Sequence, residues 1–190
     1  MPARWKVVSR LRRCMHIDIP IQTKTMIRPA TLADAAAIAA IYNPYIATTT
    51  ISFEEVPVSV AEMAQRIEAV TAKLPWYVYE IDGQVVGYAY ATAWRTRHAY
   101  RNSVETSVYV SQQHPRKGIG SQLYLILLDD LRARDIHVAI GGIALPNAAS
   151  VALHESLGYQ KVAHFPQVGR KFDQWLDVGY WQLLLNGLSD

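Results

Sequence analysis

The sequence contains a single cysteine, Cys14, among its 190 residues. One cysteine cannot form a disulfide within the chain, and it excludes a zinc site built from several cysteine ligands. No apolar run approaches the roughly 18 residues that a membrane-spanning helix requires. These absences favour a protein of a reducing compartment. We therefore expect a cytoplasmic location, no membrane partner and no bound metal.

Acidic residues are scarce at the N-terminus, and this unevenness explains most of the net charge of +3. Residues 1–25 contain six Lys or Arg side chains against Asp18 alone, a balance of +5 that leaves −2 for residues 26–190. A basic balance is typical of nucleic-acid binding, but here it belongs only to the leader, so we predict no nucleic-acid partner. We interpret residues 1–25 as a basic N-terminal extension, disordered or preceding the true start, and residues 26–190 as one domain. A basic functional arm and a transit-type peptide are the alternatives.

Hydrophobic periodicity predicts alternating strands and helices from Met26 onward. The patterns Thr31-Leu32-Ala33-Asp34 and Ser59-Val60-Ala61-Glu62 are typical of helix N-termini, and apolar residues recur at helical spacing after each. Asp82-Gly83 between two β-rich runs predicts a hairpin. After the two helices, the predicted segments are the strands 76–81, 84–91 and 104–110, a helix over 121–134, a strand over 138–144, a helix over 147–157, and the strands 161–168 and 177–185. This order indicates a mixed α/β layer fold.

A glycine-containing turn, Arg116-Lys117-Gly118-Ile119-Gly120, joins the third of those strands to the helix that follows. Its glycines allow a ligand to approach the backbone closely, and the helix N-terminus presents unpaired N–H groups to an anion. The spacing fits neither a dinucleotide-binding fingerprint nor a P-loop. Taken alone, the turn is explained more simply as a tight turn with solvated basic side chains.

Several further motifs accompany this turn: Ile41-Tyr42-Asn43, Trp94-Arg95, Tyr100-Arg101, Val104-Glu105, Val108-Tyr109-Val110, the segment 147–159, and the tail segments 168–172 and 175–182. Together with the turn 116–120, they resemble the GNAT acetyltransferase superfamily, and within it the phosphinothricin and methionine-sulfoximine N-acetyltransferase family. The resemblance runs from Met26 to about Leu185, and one departure is Pro115, where the superfamily usually has Gln or Arg. It implies a GNAT fold: a mixed, mostly antiparallel sheet flanked by helices, with a splayed central strand pair.

The resemblance implies acetyl-CoA as the donor, held by the strand before the turn, by the turn itself and by the helix that begins near Asn147. The strand's free backbone groups would pair with the pantetheine arm, and the turn would hold the pyrophosphate. Asn147 also fits the ordinary role of a helix cap. The family forms homodimers, so we expect a homodimer here. The implied cofactor-binding residues are Val108, Tyr109, Val110, Arg116, Lys117, Gly118, Ile119, Gly120, Ser121, Asn147 and Ser150.

Two side chains are implied in catalysis. Glu105 is the family's general base, which would take a proton from the attacking amine, and burial would raise its pKa toward a useful range. A carboxylate paired with a nearby arginine is the alternative. His154 is placed to protonate the departing thiolate, although a histidine on a packing face is nearly as good an interpretation. A backbone N–H, that of Val108, would stabilise the tetrahedral oxygen.

The expected acceptor is the α-amino group of a small amino-acid-like molecule such as phosphinothricin, methionine sulfoximine or methionine sulfone. Guanidinium groups suit its carboxylate, whereas a solvated surface position is the commonest fate of an arginine. The alternatives are acetylation of a protein or peptide N-terminus and a non-catalytic acetyl-CoA-binding module. The predicted substrate-side residues are Phe53, Glu54, Arg95, Thr96, Arg97, Arg101, Thr106 and Ser107.

Overall fold

The computed structural model describes residues 24–114 and 117–186. The interpretation of residues 1–25 therefore lies outside the described residues, apart from Lys24 and Thr25. None of the helices in the described part of the chain is both long and apolar enough to cross a bilayer. The elements are β1 (Thr25–Pro29), α1 (Ala35–Thr48), α2 (Val60–Thr71), β2 (Trp76–Ile81), β3 (Gln84–Ala93), β4 (Ser103–Val110), α3 (Ile119–Ala133), β5 (Val138–Leu145), α4 (Ala148–Ser156), β6 (Gln160–Lys171) and β7 (Gln174–Leu184).

The predicted order of helices and strands is confirmed, and so are the two helix starts. Thr31 and Asp34 form a reciprocal capping box that leads into α1. The Ser59 side chain accepts a hydrogen bond of 3.1 Å from the backbone N–H of Glu62 at the start of α2. Such caps satisfy backbone donors that have no partner within the helix.

The sheet has seven strands in the order β1-β2-β3-β4-β5-β7-β6, and all of its neighbours are antiparallel except β4 and β5. Two hydrophobic cores cover its faces. The first packs α1 and α2 against side chains such as Trp76, Val78 and Tyr88. The second packs α3 against Val86, Ala89 and their neighbours, with α4 at its border. The predicted mixed, mostly antiparallel sheet flanked by helices is thus confirmed.

The strands β4 and β5 pair over only three residues each, Ser103–Glu105 with Val138–Ile140. Beyond Glu105 the two strands diverge, while each keeps its antiparallel partner on the outer side. The backbone groups that β4 directs toward β5 consequently have no strand partner over its second half. This is the splayed central pair that the sequence resemblance implied.

The hairpin of β6 and β7 is longer than the sequence predicted. Its strands approach to within two residues of each other, and Phe172 and Asp173 form the turn with φ of 49° and 57°. Two-residue hairpin turns favour glycine or asparagine at such positions. The turn was missed because it carries no glycine, and the prediction therefore ended β6 too early and began β7 too late.

Candidate active site

A small cavity of about 50 Å³ lies in the gap between β4 and β5. Four consecutive residues of β4 form one wall, and residues of β5, α3 and α4 form the other. The cavity follows directly from the divergence of the strands, because a fully paired sheet would leave no opening here. Its lining residues are Ile51, Thr106, Ser107, Val108, Tyr109, Tyr124, Gly142, Ile143, Ala144, Asn147, Ser150 and His154.

The turn before α3 places glycine where the backbone needs it. Gly118 is the N-cap of α3 and has a φ of 70°, in the left-handed region that side chains disfavour. Gly120, in the first helical turn, lies so close to α4 that a Cβ would sit 3.3 Å from Leu153. The backbone N–H groups at the start of α3, including those of Ile119, Gly120 and Ser121, have no acceptor within the helix and lie near the end of β4. Lys117 is exposed there, whereas Arg116 lies outside the described residues.

Two further predicted cofactor residues sit at the start of α4. The Asn147 side chain accepts a hydrogen bond of 3.1 Å from the backbone N–H of Ser150, so it does cap the helix. Both residues also line the cavity between the strands. Val110 lies farther along β4, where its carbonyl accepts a hydrogen bond from the Tyr45 hydroxyl and it does not line the cavity.

His154 is 3% exposed and lies beneath the gap, bonded through both ring nitrogens. Its Nδ1 is 2.8 Å from the carbonyl oxygen of Ser150, and its Nε2 is 3.1 Å from the Tyr124 hydroxyl. Since a carbonyl only accepts, Nδ1 carries the ring proton, and Tyr124 donates to Nε2. Burial lowers the pKa of His154, opposed by the Ser150 bond, so the ring is neutral at pH 7.

Glu105 faces a second cavity of about 310 Å³, which shares Ile51, Gly142 and Ala144 with the first. Burial raises the pKa of its carboxyl above the usual value, and the positive charge of Arg95 opposes this shift. Gly142 makes room for the carboxylate, because a Cβ there would lie 2.9 Å from Glu105 Oε1. The remaining walls of this cavity, which we call the Glu105 cavity, are Phe53, Val168, Val178 and Tyr180.

The predicted arginines lie in different places. Arg95 stacks on the Trp94 ring at 4.5 Å, and it lines a cavity of about 340 Å³ with Thr96, Arg97 and Tyr100. Arg101 instead follows the short 3-10 turn, with its guanidinium directed toward the carbonyl of His98. Arg95 and Arg97 thus line one cavity, and the charge of Arg95 also acts on Glu105.

The remaining predicted substrate-side residues separate into three environments. Phe53 lines the Glu105 cavity. Glu54 is engaged by Arg66, at 2.7 and 3.0 Å, and the Arg66 bonds lower the pKa of this carboxyl. Thr106 is buried in the gap, where it donates to the carbonyl of Ile140 and accepts from Tyr159. Ser107 lines the gap beside it.

Comparison with known proteins decides the family. The acetyltransferase (GNAT) domain model matches residues 27–179. The chain belongs to the GNAT acetyltransferase family.

Relatives within this family agree in sequence and in structure. The phosphinothricin N-acetyltransferase of Streptomyces viridochromogenes is 43% identical over 163 residues, covering 86% of this chain and 89% of the relative. The L-methionine sulfoximine/L-methionine sulfone acetyltransferase of Pseudomonas paraeruginosa is 40% identical over 162 residues, covering 84% and 94%. The solved yncA acetyltransferase of Salmonella typhimurium, with acetyl-CoA, superposes with a TM-score of 0.84 at 40% identity, covering 87% and 96%.

Two tyrosines are prominent among the lining residues that the sequence did not predict. Tyr124 follows Leu123 on the buried stripe of α3, so its periodicity indicates a core residue, which it also is. Tyr180 of β7 lines the Glu105 cavity beside Gly142. The available signal was the hydroxyl of an aromatic side chain, since such a group needs a polar partner when it is buried. The other unpredicted lining residues are Ile51, Gly142, Ile143, Ala144, Val168 and Val178.

We expect Arg95→Gln to raise the pKa of Glu105 in this GNAT domain. The guanidinium favours the ionised carboxylate, so its removal leaves the effect of burial unopposed. The shift can be measured by NMR titration of ¹³C-labelled glutamate carboxyls, with Glu105→Gln to assign the signal. Arg101→Gln is the matched control and should leave the titration where it was. An unchanged Glu105 titration in the Arg95 variant would contradict this electrostatic account.

Proposed function

We propose that this chain transfers the acetyl group of acetyl-CoA to the α-amino group of a small amino-acid-like acceptor of the phosphinothricin, methionine sulfoximine or methionine sulfone type. The observation that carries the proposal is the position of Glu105. Its carboxylate stands where the gap between β4 and β5 meets a second cavity, and the two cavities share three residues. A donor in the first and an acceptor in the second would meet beside a carboxylate of raised pKa.

The donor side supports acetyl-CoA through its backbone. The half of β4 that has no partner on its β5 side offers N–H and C=O groups to the amides of a pantetheine arm. The start of α3 offers free N–H groups and the exposed Lys117 to a pyrophosphate. The relative from Salmonella typhimurium, which shares this fold at 40% identity, was solved with acetyl-CoA.

The acceptor side supports an amine that also carries an anionic group. Ionised Glu105 would accept a proton from the ammonium group, and the neutral amine would then attack the thioester carbon. The Val108 N–H, which we expect to face the gap, would stabilise the resulting oxyanion. Arg95, whose charge acts on Glu105, supplies positive charge for a carboxylate, and Arg97 lines a cavity together with it. This charge disfavours polyamines and other cationic acceptors.

The departing thiolate would receive a hydrogen bond from Tyr124 rather than directly from His154. Neutral His154 carries its ring proton on Nδ1, which is bonded to Ser150, so it has no N–H directed into the gap. The Tyr124 hydroxyl lies 3.1 Å from Nε2 of this ring, and Tyr124 lines the same cavity. We therefore propose that His154 holds this hydroxyl in place until it turns toward the sulfur.

The acceptor class can be tested by thiol release from acetyl-CoA with a panel of amines. We expect turnover with phosphinothricin, methionine sulfoximine or methionine sulfone, and little with spermidine, because the arginines repel a polycation. A peptide with a free N-terminus tests the rival acceptor class. If acetyl-CoA binds but none of the small amino-acid-like compounds is acetylated, the proposed acceptor is wrong.

Glu105→Gln is expected to lower kcat about 100-fold at neutral pH, as for the loss of a general base. The base works when ionised, and its pKa is raised above 4.5. Wild-type kcat/KM should therefore fall as the pH drops through that raised value, and the variant should lack this acidic limb. The exposed Glu68→Gln is the matched control and should behave as wild type. If the Glu105→Gln variant shows the same acidic limb as the wild type, Glu105 is not the general base.

We also expect a homodimer that uses exposed apolar side chains of the β6–β7 hairpin. Val162, Phe165, Val168 and Trp175 are between 48% and 61% exposed there, and clustered exposed apolar side chains are typical of protein interfaces. Light scattering after size exclusion should give twice the mass of the chain at micromolar concentration. Val162→Arg should shift it toward monomer, whereas Leu125→Arg, at an exposed position of α3, should not. A monomeric wild type would refute this expectation.

A further inference from the structure

Lys171, the last residue of β6, is buried although it is a lysine, with only 2% of its surface exposed. Lysine is almost never fully buried unless its ammonium group is paired, because removal of a charge from water is costly. The reaction outlined above makes no use of this side chain. Its burial therefore calls for a separate explanation.

The partner of this ammonium group belongs to the loop between α1 and α2. Lys171 Nζ donates a hydrogen bond of 2.6 Å to the backbone carbonyl oxygen of Ser52, 119 positions away in the sequence. Burial lowers the pKa of Lys171, while the carboxylates of Glu55 and Glu54 oppose that shift. The contact thus ties the C-terminal hairpin to an N-terminal loop across the sheet.

The same loop is organised by a chain of polar contacts. The Ser52 hydroxyl lies 2.8 Å from the Tyr42 hydroxyl, which donates to Glu54 at 2.9 Å. Arg66 of α2 then holds both oxygens of Glu54. The loop is therefore fixed from the helical side by α1 and α2, and from the sheet side by Lys171.

A second contact lies two residues earlier on β6. Gly169 packs directly beneath the ring of Phe53, where a Cβ on this glycine would overlap the ring. Residues two apart on a strand share a face, so Gly169 and Lys171 hold adjacent loop residues from one side of β6. We call this pair of contacts, Lys171 with Ser52 and Gly169 with Phe53, the clasp.

The clasp sets the distance between two walls of the Glu105 cavity. Ile51 and Phe53 of the loop form one wall, and Val168, next to Gly169, belongs to the opposite one. If the ammonium group were absent, the Ser52 carbonyl would lose its donor, and the loop would be free to move away from β6. The cavity beside Glu105 would then widen on the acceptor side. The donor gap, which the loop borders only through Ile51, would keep its walls of β4, β5, α3 and α4.

We propose that Lys171 is a positioning residue for the acceptor: through the carbonyl of Ser52 it holds the loop that bears Phe53 against β6. This inference rests on the proposed function, since it assumes that the Glu105 cavity receives the acceptor. The contact of Lys171 with Ser52 affects the KM of only one of the two substrates. The acceptor KM depends on Lys171, and the acetyl-CoA KM does not.

The test compares Lys171→Met, which keeps the length and removes the charge, with wild type and Lys161→Met. Lys161 lies on the same strand but is exposed over the Trp181 ring, so it is a matched control. We expect the acceptor KM of Lys171→Met to rise about tenfold, given the sensitivity of reactions to small displacements. Its acetyl-CoA KM should stay within about twofold, and Lys171→Arg, which restores a donor, should recover most of the loss.

Equal changes in the two KM values, an unchanged acceptor KM, or no recovery with arginine would each overturn the proposal. If Lys171→Met does not fold, Gly169→Ala tests the same clasp with the lysine in place, and the same selective rise in acceptor KM is expected. Hydrogen exchange of a peptide over residues 50–56 gives a readout without turnover and should accelerate in the Lys171 variant alone. If the wild-type enzyme acetylates none of the amines in the panel, the proposed function is wrong. In that case the hydrogen-exchange measurement still tests whether Lys171 holds the loop against β6.

Discussion

The short parallel pairing of β4 with β5 is the constraint on which the rest of the site depends. Three residue pairs join the strands. Beyond them the strands separate, and backbone N–H and C=O groups that would be hydrogen-bonded in a complete sheet are left without a strand partner. Glu105 is the last residue of the paired part of β4, so its side chain stands where the gap begins. The start of α3 lies at the far end of the same strand. The early end of the pairing between β4 and β5 therefore places three features along one strand. They are the Glu105 carboxylate, the backbone groups of β4 that are unpaired on the β5 side, and the start of α3, whose N–H groups suit an anion.

Two adjacent glycines on β5 leave space for the side chains of His154 and Glu105 beside the gap. Gly141 faces His154 and Gly142 faces Glu105, and a Cβ at either position would collide with the facing side chain. Because successive residues of a strand point to opposite faces, neighbouring glycines open space on both sides of the sheet at one level. Glycine within a strand costs about 0.5–1 kcal/mol relative to alanine. The two glycines therefore lower the stability of the strand, and they leave space for the His154 and Glu105 side chains.

Much of the fold was predictable because its signals are local. Caps at Thr31 and Ser59 and the Asp82-Gly83 turn each involve residues close in sequence, and the structure confirms the elements they predicted. The turn at Phe172-Asp173 was missed because residues other than glycine occupy its left-handed positions. No local pattern could reveal that Glu54 pairs with Arg66, that Tyr124 reaches His154, or that Arg97 and not Arg101 shares a cavity with Arg95. These depend on tertiary contacts.

Under the proposed function, the same distinction separates the donor side of the site from the acceptor side. The donor side is built mainly from β4, α3 and the start of α4, and most of its elements follow one another in the chain, so its motifs are readable as spacings. The acceptor side combines the loop after α1, the segment after β3, and the β6–β7 hairpin, which lie far apart in sequence. Its shape depends on contacts such as that of Lys171 with Ser52, which join 119 positions. Acceptor preference can therefore change through residues of the hairpin that never touch the acceptor, while the donor motifs stay the same.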